Sequence, residues 1–323
     1  MSFIEIKFHF ILVAVGLFTF LNGFGQGFTV SGSKLLDANG KEFMIRGVNY
    51  PYIWYLKKSK SLLRIANLKT NCIRIVWSTE GKANHLEKVL KQCIRLEMVP
   101  MIELHDATGG NNSEKLLETV GYYTNYDIKK VLLKYKRFLL INLANEWGDY
   151  HITAEYWRDS YMKAIEKLRG AGINVTLVID GPKWGQDIQP ILQYGKALLN
   201  YDPCKNLFFS VHMYGLWNST EAIETNLQKA HDLSLPLVIG EFGYNYKNGE
   251  NNLKCKADHT VILRKCQELG YGYIPWSWAG NDLNNAWLNL TDWENLTWWG
   301  KEVFEGPNGI TSTAKKASIF GQP

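Results

Sequence analysis

Glu146 and Glu241 each stand where a β-rich apolar run gives way to a loop, the runs being LLINLANEW and LVIGEFG. Two carboxyl groups at such positions can cleave a glycosidic bond. One protonates the departing oxygen, and the other attacks the anomeric carbon or activates water on its far side. His, Tyr, Asn and Trp recur near both, and these side chains can grip sugar hydroxyls and ring faces.

The elements that must position this pair are legible from alternation. Eight strand-like runs succeed one another: MIRGVNY, CIRIVW, VPMIELHD, FLLINLANEW, VTLVIDG, LFFSVHMYG, PLVIGEFGY and YGYIPWSWAG. They are short and β-branched, as strands buried on both faces are. Between them lie stretches such as ANHLEKVLKQCIRLE, AEYWRDSYMKAIEKLRGAG and STEAIETNLQKAHDLS, with apolar residues at three- and four-residue spacing. Gly170, Gly172 and Gly270 sit where helices should close. Polar residues gather at the C-terminal ends of the strands: Asn49, Arg74, His105, Asp106, Asn145, Glu146, Asp180, His212, Tyr214 and Glu241. The pattern predicts an α/β chain folded as a (β/α)8 TIM barrel, whose strand ends carry the chemistry. A doubly wound sheet would also alternate, but no glycine-rich phosphate loop opens a first helix. The segment FTVSGSKLLDANGKEF, with Asn39-Gly40 as its turn, is expected to form a short hairpin capping the barrel bottom.

Composition fits one such domain. The 323 residues are 46% hydrophobic, without low-complexity tracts, and exceed ordinary barrel length by little more than a leader and some loops. The net charge of +5 is dispersed apart from Lys57, Lys58, Lys60 and Arg64, so no basic stripe points to nucleic acid. Twelve Trp and 17 Tyr supply faces for sugar rings as well as core.

Lys7 precedes an apolar run from Phe8 to Leu21, followed by Asn22-Gly23-Phe24-Gly25. Residues 1–25 read as a secretory signal peptide, too short to span a bilayer comfortably, with residues 26–323 as the catalytic domain. The expected product is a secreted, extracellular monomer with no membrane attachment after signal removal. Five cysteines show no metal spacing. Cys72 and Cys93 suit a buried strand and helix; Cys255 and Cys266 could pair, but an odd total leaves at least one free thiol and no bridge is predicted. Sequons occur at Asn111, Asn174, Asn218, Asn289 and Asn295.

Taken in order, RGVN at 46–49, IRIV at 73–76, ELHDATG at 103–109, NEW at 145–147, HMY at 212–214, GEFG at 240–243 and WSWAGN at 276–281 resemble glycoside hydrolase family 5. They are most similar to its bacterial-type endo-β-1,4-mannanases. The resemblance runs from about Gly27 to near Gly309 and implies a retaining hydrolase, with Glu146 as acid/base and Glu241 as nucleophile. Retention predicts carboxyl groups about 5–5.5 Å apart, against roughly 6.5–9.5 Å for inversion. It further implies that Arg74 keeps Glu241 ionised and that Tyr214 donates to the same carboxylate. His212 is implied beside the acid/base, Asn145 and His105 on the hydroxyls of the attacked sugar, and Trp276 as an aromatic platform. Trp278 shares the parity of Trp276, and Asp106 is expected to order the loop that follows it. Trp54, Trp77, Trp184, Trp217 and Trp287 are loop candidates for flanking sugars.

No cofactor or metal is expected, since no H-x-H ends the first strand and no HExxH occurs. The expected partner is a polysaccharide: β-mannan, with β-1,4-glucan as the runner-up. Tyr50-Pro51-Tyr52, GDYH after Glu146 and GLWN after Tyr214 depart from the mannanase pattern. A carbohydrate-binding barrel without turnover is the alternative of a different class.

Overall fold

The computed structural model describes residues 27–250 and 254–321, and the expected signal peptide lies outside them. Two short antiparallel strands, β1 (Thr29–Ser31) and β2 (Lys34–Leu36), come first. Their ladder turns at Gly32, where φ is +58°, and not at Asn39-Gly40. The latter pair forms a second tight turn in which Asp37 Oδ1 accepts the Asn39 and Lys41 N–H groups. That turn returns the chain for a single bridge between Leu36 and Glu42.

Eight parallel strands follow: β3 (Gly47–Tyr50), β4 (Cys72–Trp77), β5 (Val99–Leu104), β6 (Leu140–Asn142), β7 (Thr176–Asp180), β8 (Leu207–Met213), β9 (Leu237–Phe242) and β10 (Gly272–Tyr273). Each pairs with the next in sequence, and a parallel bridge between Arg46 and Tyr273 closes the ring. The intervening helices are α1 (Ser61–Asn67), α2 (Ala83–Arg95), α3 (Ser113–Gly121), α4 (Tyr126–Tyr135), α5 (Ala154–Gly170), α6 (Gln189–Tyr201), α7 (Thr220–Asp232) and α8 (His259–Leu269), with α9 (Trp298–Glu305) and α10 (Ile310–Thr313) behind them. Several start on side-chain caps. Thr153, Ser219 and Asp258 each accept a backbone N–H from the first turn that would otherwise lack a partner.

The eight expected strands are all present, in the expected order. The core divides as strand alternation dictates. One set of side chains faces the helices. The other fills the barrel and meets the hairpin: Ile45, Cys72, Met101, Leu140, Val178, Phe208, Val238 and Ile274 stack on Phe28, Leu35 and Phe43. The hairpin therefore plugs the barrel bottom, as expected. Cys72 and Cys93 are fully buried, and burial pushes both thiols well above their usual range.

Candidate active site

Two local departures from regular strand geometry bring the carboxylates inward. The β6 ladder ends at Asn142, earlier than the run FLLINLANEW suggests. Beyond it Glu146 has φ +49°, a left-handed conformation uncommon for a residue with a Cβ. On β9, Val211 pairs with Ile239 but His212 pairs with Glu241, so Gly240 is an extra residue, a bulge. The bulge turns Glu241 into the barrel mouth, where strict alternation from Val238 would point it outward. Only glycine fits there: a Cβ on Gly240 would stand 2.2 Å from Ser210 Oγ and 3.1 Å from His212 Nε2.

Glu146, His212 and Glu241 then converge, each offering one side-chain atom within 4.8 Å of the others. His212 Nδ1 lies 2.7 Å from Glu146 Oε1 and 3.6 Å from Glu241 Oε2. Arg74 Nη1 donates to Glu241 Oε1 at 2.8 Å, and the Tyr214 hydroxyl donates to Oε2 at 3.0 Å. The spacing of the three would suit a cation, but Arg74 already places a permanent positive charge against Glu241. A metal ion would have to displace it or bear its repulsion.

Arg74 is the hub. It also donates to Asn49 Oδ1 at 2.9 Å, Asn142 Oδ1 at 3.0 Å and Asn145 Oδ1 at 2.7 Å. Glu103 and Asp180 lie within 4.0 Å of it. Burial disfavours the guanidinium, but Glu103, Glu241, Asp180 and Glu146 outweigh that and raise its pKa. Four carboxyl groups thus share one full cation.

That imbalance separates the two glutamates. Burial pushes Glu146 well above the usual carboxyl range, and Glu241 and Asp180 push it further. Burial also raises Glu241, to about 7, with Arg74 and His105 pulling it back. Glu241 carries the Arg74 and Tyr214 donors directly, so the last proton of the pair stays on Glu146. Two carboxyl groups with separated affinities for a proton can supply one acid and one carboxylate at the same pH. His212 is held neutral by burial and by Arg74.

The remaining expected residues line the same cleft of about 630 Å³. His105 Nδ1 is 3.1 Å from Glu103 Oε1, which outweighs burial and raises the imidazole pKa. Its ring stacks on Trp276 and meets the edge of Trp54. Asn145 lines the cleft and donates one N–H to Thr108 Oγ1 at 2.9 Å. Trp276 borders the cleft and donates to Asn281 Oδ1 at 2.9 Å, whereas Trp278 is buried against Phe304.

Of the loop tryptophans, Trp54 and Trp184 line the cleft, and Tyr150 of the GDYH loop packs on Trp184. Trp77 and Trp217 are buried and, like Trp287, do not line the cleft. Tyr50 and Tyr52 are likewise buried, and the Tyr50 hydroxyl donates to the Lys58 carbonyl. That departure from the mannanase pattern lies outside the cleft lining. Asp106 binds backward, to Ser78 Oγ and to the backbone and hydroxyl of Thr79. It ties the loop after β4 and not the one that follows it.

Sequence reasoning gave no role to Asn49, Glu103, Asn142 or Asp180, all fully buried around Arg74. Asn49 and Asp180 did stand among the polar strand ends. The signal for Asn142 was a lone amide inside the apolar run LLINLA. A smaller cavity of about 290 Å³ is lined by Phe28, Lys136 and Cys204, among others, and has no carboxylate.

Residues 36–282 match the family model described as Cellulase (glycosyl hydrolase family 5). The chain is 36% identical over 305 residues to a mannan endo-1,4-beta-mannosidase of Salipaludibacillus agaradhaerens, covering 91% of this chain and 96% of that one. It is 33% identical over 307 residues to the mannan endo-1,4-beta-mannosidase of Streptomyces lividans, covering 91% and 78%. A mannohexaose complex of the Thermomonospora fusca β-mannanase superposes with a TM-score of 0.83 at 34% identity. It covers 92% of this chain and all of that one.

Proposed function

The chain belongs to glycosyl hydrolase family 5, and from that premise we propose that it is an endo-acting β-1,4-mannanase, retaining in mechanism and secreted as a monomer. The observation that carries the mechanism is the convergence of Glu146 and Glu241 carboxylate atoms within 4.8 Å. That separation leaves no room for a water between carboxylate and sugar and suits direct attack.

In the first step Glu241 forms a bond to the anomeric carbon as the glycosidic C–O bond breaks. Glu146 gives its proton to the leaving oxygen, and the released chain departs as an alcohol. Esterified Glu241 no longer carries charge, so the Coulombic push on Glu146 falls and it ionises more easily. It then takes a proton from water, whose oxygen attacks the same carbon. Glu241 leaves as a carboxylate, and Glu146 is again an acid. Two inversions give net retention. Asn145 and His105 are placed to hold hydroxyls of the attacked sugar, and Trp276 to lie under its ring.

Mannan is the proposed substrate because the mannanases matched are 33–36% identical and similar over 78% to all of their own length. A polysaccharide needs an open groove, and among the described residues no helix is long and apolar enough to cross a membrane.

The test is a panel of galactomannan, glucomannan, carboxymethyl cellulose and xylan, read by reducing ends and by NMR of the first anomer released. Internal cleavage of the mannans with a β-anomer product is expected. Faster attack on carboxymethyl cellulose would make the chain a β-1,4-glucanase. No release from any of the four would reduce it to a binding barrel.

A further inference from the structure

Asp180 ends β7 with no exposed surface, so it cannot touch substrate. Its Oδ2 accepts the backbone N–H of Glu146 at 3.0 Å, and its Oδ1 accepts from Asn142 Nδ2 at 3.1 Å. The same Oδ2 stands 3.6 Å from His212 Nε2 and 3.7 Å from Arg74 Nη2. His212 Nε2 is buried and makes no hydrogen bond among the described residues, while Nδ1 lies against Glu146. Asp180 therefore meets Glu146 by two routes, through its backbone amide and through the His212 ring.

Both routes bear on the proton. The amide contact pins Glu146 in its left-handed turn, a conformation that persists only where surroundings hold it. A carboxylate facing Nε2 favours the tautomer with its hydrogen there, which leaves Nδ1 as an acceptor for the Glu146 carboxyl proton. We infer that Asp180 is the positioning residue of the acid/base: it fixes the Glu146 backbone and, through His212, keeps the proton on the Glu146 carboxyl group. The inference rests on the assignment of Glu146 as the acid.

Charge acts in the same sense. Glu146 is faced by Asp180 from β7, Glu241 from β9, Glu103 from β5, Arg74 from β4 and His212 from β8. The three anions oppose its ionisation and Arg74 favours it. Asp180 is itself faced by Arg74, Glu103 and His212, with Ser210 beside it and the Tyr161 hydroxyl on α5. The Glu146 and Asn142 N–H groups and the Arg74 charge favour its carboxylate form, against the burial that raises its pKa.

Asp180→Asn keeps shape and an acceptor for the Glu146 amide but removes the charge. One anion fewer lowers the pKa of Glu146, so the basic limb of the kcat/KM profile moves to lower pH, by about one unit or more. The kcat on a poor leaving group should fall about tenfold more than on a 2,4-dinitrophenyl mannobioside, which needs no proton, and KM should hardly move. An unmoved basic limb, or equal losses on both substrates, overturns the inference. A protein merely damaged in its packing would show those equal losses. If Asp180→Asn does not fold, 15N spectra of histidine-labelled wild type decide, with the His212 signal identified against His212→Asn. The Nε2–H tautomer is expected, and Nδ1–H overturns the proposal. A fully active Glu146→Ala would instead sink the acid/base reading itself.

Discussion

Arg74 Nη1 lies 2.8 Å from Glu241 Oε1, with the two side chains 0% and 5% exposed. This guanidinium faces three buried carboxyl groups, Glu103, Asp180 and Glu241, and the partly exposed Glu146, and it favours ionisation of the one it touches. Arg74→Met removes it. The carboxyl of Glu241, already pushed up to about 7 by burial, then loses its strongest downward pull and rises. A carboxylate proposed as nucleophile must be ionised, so the acidic limb of kcat/KM should move to higher pH. The unpaired carboxylates should also lower stability by about 3–5 kcal/mol. Arg74→Lys retains the charge but not the fan of hydrogen bonds, and should shift the limb less. pH–rate profiles and denaturant melts check both effects.

Glu241→Ala should abolish hydrolysis while leaving the fold intact, since the side chain lines the cleft and Arg74 keeps Asn49, Asn142 and Asn145 as acceptors with Glu103 and Asp180 beside it. Azide entering the vacated space should restore turnover on an activated aryl mannoside. The product would be an α-glycosyl azide, inverted relative to substrate, identified by its anomeric proton coupling. Residual wild-type activity in this variant would remove Glu241 from the reaction.

Glu146→Ala separates substrates by their need for a proton. Dinitrophenyl leaving groups depart unaided, so their first step should survive, whereas kcat/KM on mannan should fall about 10²–10⁴-fold. Azide here replaces water in the second step and yields a β-azide of retained configuration. The opposite anomers from the two variants form an internal control. A β-azide from Glu241→Ala would exchange the two roles.

The barrel and the pair of strand-end glutamates that converge in its mouth were legible because they depend on period and residue type. Eight apolar runs, each followed by a helical pattern, specify the ring, and a carboxylate at a strand end is visible as a residue type. What could not be read was backbone irregularity. The turn at Gly32 outcompeted the expected Asn39-Gly40 hairpin, since both carry glycines suited to positive φ and register alone separates them. The Gly240 bulge was invisible too, because strand alternation counts every residue as paired. Asp180 and Asn142 escaped because their role lies in contacts with Glu146 and Arg74, far away in sequence.

The bulge makes a prediction of its own. Gly240→Ala places a Cβ 2.2 Å from Ser210 Oγ in a region without free space. Overpacking of this kind costs about 1–3 kcal/mol, and it presses on His212 as well. Both the melting temperature and kcat should fall. Removing the obstructing hydroxyl with Ser210→Ala in the same chain should recover part of the stability. Additive losses in the double variant would show that the two sites do not collide.

Away from the cleft, Arg169 near the end of α5 grips Asp202 after α6 with two bonds of 2.8 Å, Nε to Oδ1 and Nη2 to Oδ2. Burial alone would push Asp202 upward. The Arg169 bonds and charge, with the Asn206 and Cys204 N–H groups, outweigh it and hold the carboxyl below its usual value. A folded pKa below the unfolded value of about 3.9 contributes stability that is present above that value. It is lost as pH falls through the folded pKa. Asp202→Asn leaves the Arg169 charge buried without its partner and should cost about 3–5 kcal/mol at neutral pH. The gap from wild type should close in acid, once wild-type Asp202 is also protonated. Neither residue lines the cleft, so kcat on mannan should be unchanged where both proteins remain folded. Melts of the two proteins across the acid range, paired with turnover at neutral pH, read both halves, and a gap independent of pH would refute the ionic origin of the effect.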